Sequence, residues 1–171
     1  IFLKNSDFNT FNLIGKVEST SGDEAIRVDS TSGANTFNLN TGSNVIGGFN
    51  NTGFYTVITN QGTIDTLTNS GNITTFDNSG SISTIRNIGS INTFNNSETT
   101  SLLTNLGSID TLTNSGTVSS FNNSGTNTLL SNTGNFDTLA NTGGITEINN
   151  SGIISTIRNV GGSRGDIINS D

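Results

Sequence analysis

Residues 54–161 read as twelve consecutive nonapeptides without insertion or deletion. With the places of the unit numbered one to nine, a clear copy is Thr63-Ile64-Asp65-Thr66-Leu67-Thr68-Asn69-Ser70-Gly71. Place five is Ile, Leu or Phe in all twelve copies, from Ile58 to Ile157, and place seven is always Asn, from Asn60 to Asn159. Place nine is Gly except at Glu98. A period this strict means that every ninth residue meets the same surroundings, which only a stack of equivalent coils provides. The apolar fraction of 29% and charged fraction of 11% would by themselves suit a disordered chain, so order here rests on where the apolar residues fall.

Period nine, the density of Thr, Asn, Ser and Gly and the scarcity of good helix formers exclude helix. Pro is absent, which suits strands paired on both sides. The chain also contains no Asn-Gly or Asp-Gly dipeptide, the strongest hairpin signal, so a meander of hairpins is disfavoured. The expected fold is all-β: parallel, in-register strands wound into a β-helix, or solenoid, of nonapeptide repeats. A coil of two units and a coil of three would both preserve the pattern; two is preferred, which puts Arg86 and Arg158 on one face, four coils apart.

Side-chain direction follows from strand geometry, since residues two apart share a face. Place two is apolar in ten copies, and the exceptions, Thr100 and Asn127, are followed by Leu102 and Leu129 at place four. That pairing predicts that places two and four both face inward, with a corner between four and five. Places five and seven then share the inner face, which buries an Asn in every unit. A buried amide costs about 1–3 kcal/mol unless hydrogen-bonded. Stacked amides in successive coils can pair with one another, which predicts a ladder of Asn60, Asn69, Asn78, Asn87, Asn96, Asn105, Asn114, Asn123, Asn132, Asn141, Asn150 and Asn159. Gly at place nine is expected to supply a positive φ. Places three, six and eight point outward, and the candidate surface-contact residues are Asp65, Thr68, Asp77, Arg86, Asp110, Thr113, Asp137 and Arg158.

Residues 1–53 read as irregular earlier coils with longer loops. Asn9-Thr10-Phe11-Asn12-Leu13 and Asn35-Thr36-Phe37-Asn38-Leu39 echo one another, and Ala25 to Asp29 alternates like a half-buried strand. After Gly161 the register breaks, and residues 162–171 read as the start of a further coil, so the chain is expected to be an excised piece of a longer rod. An unpaired final coil would favour end-to-end self-association.

Units such as Thr63 to Gly71, with Ser21-Gly22-Asp23-Glu24-Ala25-Ile26 and Ala34-Asn35-Thr36-Phe37-Asn38 upstream, resemble the passenger regions of type V autotransporters of ε-proteobacterial kind, the adhesins and vacuolating-cytotoxin-like proteins. The resemblance covers nearly the whole chain. It implies a right-handed parallel β-helix displayed on the bacterial surface and anchored by a C-terminal barrel in a parent protein. The implied function is attachment to a host-cell receptor or glycan, or to sibling cells, with a toxin-like passenger as the alternative.

The chemistry legible in the residues is sparse. A net charge of −7, with six basic residues scattered along the chain, offers no basic stripe and argues against nucleic-acid partners. The absence of His and Cys removes the usual zinc ligands and commonest nucleophile pairings, so no enzyme activity, cofactor or metal is expected. No apolar run approaches the ~20 residues that span a bilayer, so membrane insertion by these residues is not expected. The nine-residue period is shared with calcium-binding β-rolls, but the turn here is Asn-Ser-Gly and the Asp residues sit at place three. Outward places mix Thr with Asp, Asn, Ser and Arg, unlike the uniform ranks of an ice-binding face. A tailspike-type polysaccharide enzyme would need facing carboxylates, and Asp65 and Asp137 would stand four coils, ~19 Å, apart. Glu147-Ile148-Asn149-Asn150-Ser151 fits the acidic bacterial glycosylation sequon, with Asn149 outward at place six.

Overall fold

In the computed structural model, which describes residues 1–19, 24–160 and 163–169, all regular structure is strand. The N-terminal strands are short: β1 (Phe2–Leu3), β2 (Thr10–Leu13), β3 (Lys16–Glu18), β4 (Ile26–Val28), β5 (Thr36–Leu39), β6 (Asn44–Ile46), β7 (Phe49–Asn51) and β8 (Thr56–Asn60). The array is regular, with seven-residue strands β9 (Thr63–Asn69), β10 (Asn72–Asn78), β11 (Ser81–Asn87), β12 (Ser90–Asn96), β13 (Thr99–Asn105), β14 (Ser108–Asn114), β15 (Thr117–Asn123), β16 (Thr126–Asn132), β17 (Asn135–Asn141), β18 (Gly144–Asn150), β19 (Ile153–Asn159) and β20 (Ser163–Asn169).

Every strand pair is parallel, and within the array each strand pairs with the second strand after it, Phe76 with Phe94 for example, so one coil is two units. The result is a two-sided β-solenoid. One face carries β1, β4, β7, β9, β11, β13, β15, β17 and β19, with β3 and β6 joined to it through β9; the other carries β2, β5, β8, β10, β12, β14, β16, β18 and β20. Upstream the coils are longer. On the face of β2 the circuit shortens step by step, from Phe11 to its partner Phe37, then from Phe37 to Ile58, and settles to the two-unit coil from Ile58 to Phe76. The two echoing pentapeptides thus lie on adjacent coils, in register from Thr10–Thr36 to Leu13–Leu39. β20 adds to β18 with Ser163 opposite Gly144 and Asn169 opposite Asn150.

From β9 to β17, places two, five and seven are buried and place four is not; at β19, the last strand of its face, Ile157 and Asn159 are exposed. In β9 the buried residues are Ile64, Leu67 and Asn69, whereas Thr66 is exposed. The inward assignment of place four is therefore wrong, and so is the corner between four and five. The bend lies at places three and four, which both face out: the ladder steps from Ile73–Ile91 directly to Thr75–Thr93, passing over place three. In the coil below, β6 and β7 form the same bend as two strands parted by Gly47 and Gly48, both at positive φ. Thr is equally at home on either side of such a bend.

Leu102 and Leu129, expected to fill in for the polar residues two places earlier, sit half-buried on the outer faces, while Thr100 and Asn127 are themselves buried. Register decides this. Thr100 is held between Ile82 and Val118, and Asn127 between Ile109 and Ile145, because slipping one strand would turn its whole apolar set outward. Thr100 donates its hydroxyl to Asn96 Oδ1 at 3.0 Å. Asn127 donates to the Ile109 carbonyl at 3.1 Å, but its Oδ1 has no partner. Replacing Asn127 by Ile is expected to raise stability by about 1–2 kcal/mol, through removal of the orphaned acceptor and completion of the apolar column. Urea unfolding followed by circular dichroism measures it; an unchanged or lower midpoint would contradict the assignment.

The core is a single column running the length of the rod, with large rings stacked between coils, as in Phe76–Phe94 at 4.9 Å and Phe11–Phe37 at 5.0 Å between centroids. The place-nine glycines do not carry the expected positive φ; among the described residues that conformation belongs to Gly15, Gly42, Gly47 and Gly48. Their role is close approach. A Cβ on Gly125 would run into the carbonyl oxygen of Gly107 on the preceding coil, and the same collision recurs along both edges of the rod.

Candidate functional surface

The inner Asn residues form two continuous ladders, one along each edge of the rod. Asn51, Asn69, Asn87, Asn105, Asn123, Asn141 and Asn159 make the first, each Nδ2 donating to the next Oδ1 at 2.8 Å. Asn60, Asn78, Asn96, Asn114, Asn132 and Asn150 make the second, at 2.7–2.8 Å. The same amides also reach turn carbonyls: Asn69 donates to the carbonyls of Gly71 and Ser90. Asn51, which precedes the regular array, belongs to the first ladder although the twelve-unit count leaves it out.

These ladders fix two outer faces that differ in charge. On the β9 face, place six and its upstream equivalents form one column: Arg27, Asn50, Thr68, Arg86, Thr104, Asn122, Ala140 and Arg158. Arg86 and Arg158 are four coils apart, as the two-unit coil requires. Arg27 completes a column of three guanidinium groups, a placement hidden from the sequence by the variable loops between coils. Asp65 and Asp137 flank this face at place three and are exposed, also four coils apart. Asp77, Asp110 and Thr113 lie on the opposite face, on β10 and β14. There Asp77 accepts from Asn95 Nδ2 at 2.8 Å. The eight candidate contact residues therefore divide into five on one face and three on the other.

Asn149 is half-buried, and its amide nitrogen donates to Glu147 Oε1 at 2.7 Å, so the sequon nitrogen is engaged within its own strand. Two small clefts, of about 220 and 180 Å³, open near the C-terminal end; one is lined by residues including Asn149, Asn150 and Ile168, the other by Ala140, Asn141, Thr142, Arg158 and Val160. Among the described residues no group of three or more acidic, His or Cys side chains is placed to hold a metal. No helix among them is long and apolar enough to cross a membrane.

One feature breaks the repeat. Tyr55, counted at an inward place two, lies outside with 64% of its surface exposed, because the register shifts by one residue and Thr56 pairs with Ile73 in its stead. Tyr55 takes φ 53°, and two earlier residues on the adjoining coils, Phe8 (58°) and Ala34 (53°), are also left-handed. For bulky residues this region is strained and is a pointer to a local role. Nearby, the hydroxyl and amide of Thr31 and the hydroxyl of Ser32 hold the Asp29 carboxyl below its usual range, aided by Lys4 and opposed by partial desolvation.

Comparison of the chain with models of known families, with curated proteins and with solved structures finds no match.

Proposed function

We propose that this chain is a rigid stalk segment of a bacterial surface protein of autotransporter-passenger type, which attaches cells to host tissue or to one another through its outward polar columns. The observation that carries this reading is the pair of long faces on which structurally equivalent positions recur at each coil, backed by the two continuous asparagine ladders. A rod with a repeating lateral surface binds through many weak, equally spaced contacts, which favours attachment by avidity over capture of one small molecule in a deep site. The resemblance of the Asn-Ser-Gly units to autotransporter passengers supplies the surface location and the right-handed coil in this proposal.

The test is binding of the fluorescently labelled chain to epithelial cells. Wild type is compared with Arg86→Ser/Thr104→Ala/Asn122→Ser on one face and Asp77→Asn/Asn95→Ser/Thr113→Ala on the other. Saturable binding that falls about tenfold or more in one of these variants is expected, as for loss of several contact side chains. If wild type does not bind, or neither variant changes binding, the lateral-adhesion reading is wrong and the rod acts as a spacer.

A further inference from the structure

We propose that the corner formed by Phe8, Ala34, Phe54 and Tyr55 is a binding site for an uncharged oligosaccharide. The inference deepens the adhesive reading and rests on it, since it names the ligand class and the place of contact.

The corner spans three successive coils. Phe8 N donates to the Gly33 carbonyl at 3.1 Å, and Ala34 N donates to the Phe54 carbonyl at 2.9 Å, so the first, second and third coils stack here in order. Phe54 lies over Gly33 so closely that a Cβ at Gly33 would enter its ring. Tyr55 then packs edge-on against Phe54, with centroids 5.7 Å apart. Phe8 is 84% exposed. Between Phe8 and Tyr55, two coils or ~10 Å apart, the equivalent left-handed position is Ala34, which presents only a methyl group. Two aromatic walls thus flank a low floor. Side-chain oxygens anchor the backbone here: Asp7 Oδ1 accepts from Gly33 N at 2.6 Å, and Asn72 Oδ1 accepts from Tyr55 N at 3.3 Å.

Exposed rings suit the C–H faces of a sugar, whose partial positive charge meets the negative face of the ring. The surroundings are amides and hydroxyls: beside Tyr55 the Asn72 amide donates to Ser90 Oγ and to Asn92 Oδ1. The carboxylate of Asp7 beside the corner and the net charge of −7 disfavour an acidic sugar. Departure from the repeat occurs where the rings appear: the bulge at Tyr55 brings an aromatic side chain out that the regular register would have turned in.

Tyr55 is the only tyrosine in a chain without tryptophan, so its emission reports on the corner directly. The full chain is titrated with soluble oligosaccharides of glucose, mannose, galactose and N-acetylglucosamine, following tyrosine emission, with calorimetry for variants that lack the reporter. Phe8→Ala and Tyr55→Ala are the informative variants. Both side chains are exposed, and Ala34 shows that alanine adopts this backbone conformation in the adjacent coil. The expected result is saturable binding of at least one sugar, weakened about tenfold or more in each variant with circular dichroism unchanged, as for loss of an aromatic anchor. Absence of saturable binding to all four sugars overturns the proposal, as does unaltered affinity in both variants. If epithelial-cell binding persists in Phe8→Ala and Tyr55→Ala yet falls in the lateral-face variants, the corner is refuted while the adhesive reading stands.

Discussion

Substituting Asn105 with Leu is expected to lower stability by about 3–5 kcal/mol, out of proportion to the loss of one side chain. Asn105 sits mid-ladder, donating to Asn123 Oδ1 at 2.8 Å and to the Thr126 carbonyl at 2.9 Å, while its own Oδ1 accepts from Asn87. Leucine removes these bonds, strands the Asn123 acceptor, takes a donor from the Thr126 carbonyl and leaves Asn87 Nδ2 with only the Gly89 and Ser108 carbonyls. Each stranded buried group costs about 1–3 kcal/mol, and the added apolar contact offsets part of it. The double variant Asn87→Leu/Asn105→Leu should cost clearly less than the sum of its two singles, because the bond between them is lost only once. Urea unfolding of the four proteins gives the cycle. Strict additivity, or a single-variant loss below about 1 kcal/mol, would show that the amides are incidental to stability.

The second large effect is expected at place nine. Gly125→Ala should destabilise by about 3 kcal/mol or more, since the new methyl group meets backbone on the coil below: the Gly107 carbonyl oxygen, the Leu106 carbonyl carbon at 2.8 Å and the Gly107 carbonyl carbon at 2.9 Å. No rotation of a side chain relieves such contacts. Gly42→Ala is the control. Nothing lies within 4 Å of its Cβ position, but its φ of +84° is left-handed, so the expected loss is only about 1 kcal/mol. Glu98, the one non-glycine at this place, shows how a coil yields: the Thr99 N to Gly80 O bond is 3.3 Å there, against 2.9 Å for Ser90 and Ser108 at the adjoining units. Thermal unfolding that ranks Gly125→Ala no worse than Gly42→Ala would refute the close-approach role.

Particular residues show how far the sequence alone carried the fold. Places five and seven were readable because one side chain class occupies each without exception, and a buried Asn in every unit has few physical solutions besides a ladder. The pattern allowed a coil of two units or of three, and the preference for two is settled only by the pairing of each strand with the second one after it. Place four was not readable: Thr66, Thr75 and Thr84 satisfy an interior or an exterior position equally well, and Leu102 beside Thr100 mimicked compensation that register forbids. Gly71 and its equivalents were recognised as required, yet a positive φ and a missing Cβ demand the same residue, so the reason stayed hidden. At the surface, Arg86 and Arg158 could be placed on one face from spacing, whereas Arg27 could not, since the first coils are longer than the rest and unequal to one another. The aromatic corner had no signal beyond Phe8, Phe54 and Tyr55 themselves; only a bulge of one residue puts Tyr55 outside.

The strict alternation of units between two faces gives the rod a parity. Gain or loss of two units changes its length by one strand spacing and leaves everything beyond in place. Gain or loss of a single unit keeps the ladders and the core intact but carries every later residue to the other side, so Arg158 would leave the column of Arg86. The chain carries traces of both kinds of step. Ser81 to Gly89 returns as Ile153 to Gly161, eight units later, and Arg86 and Arg158 share a face. Tyr55 to Gly80 is echoed by Thr100 to Gly125, five units later, and Thr66 and Thr111 stand on opposite faces. Copying by odd numbers thus writes one face's pattern onto the other at no cost to the interior, a route by which two unlike surfaces can arise from a single repeated word.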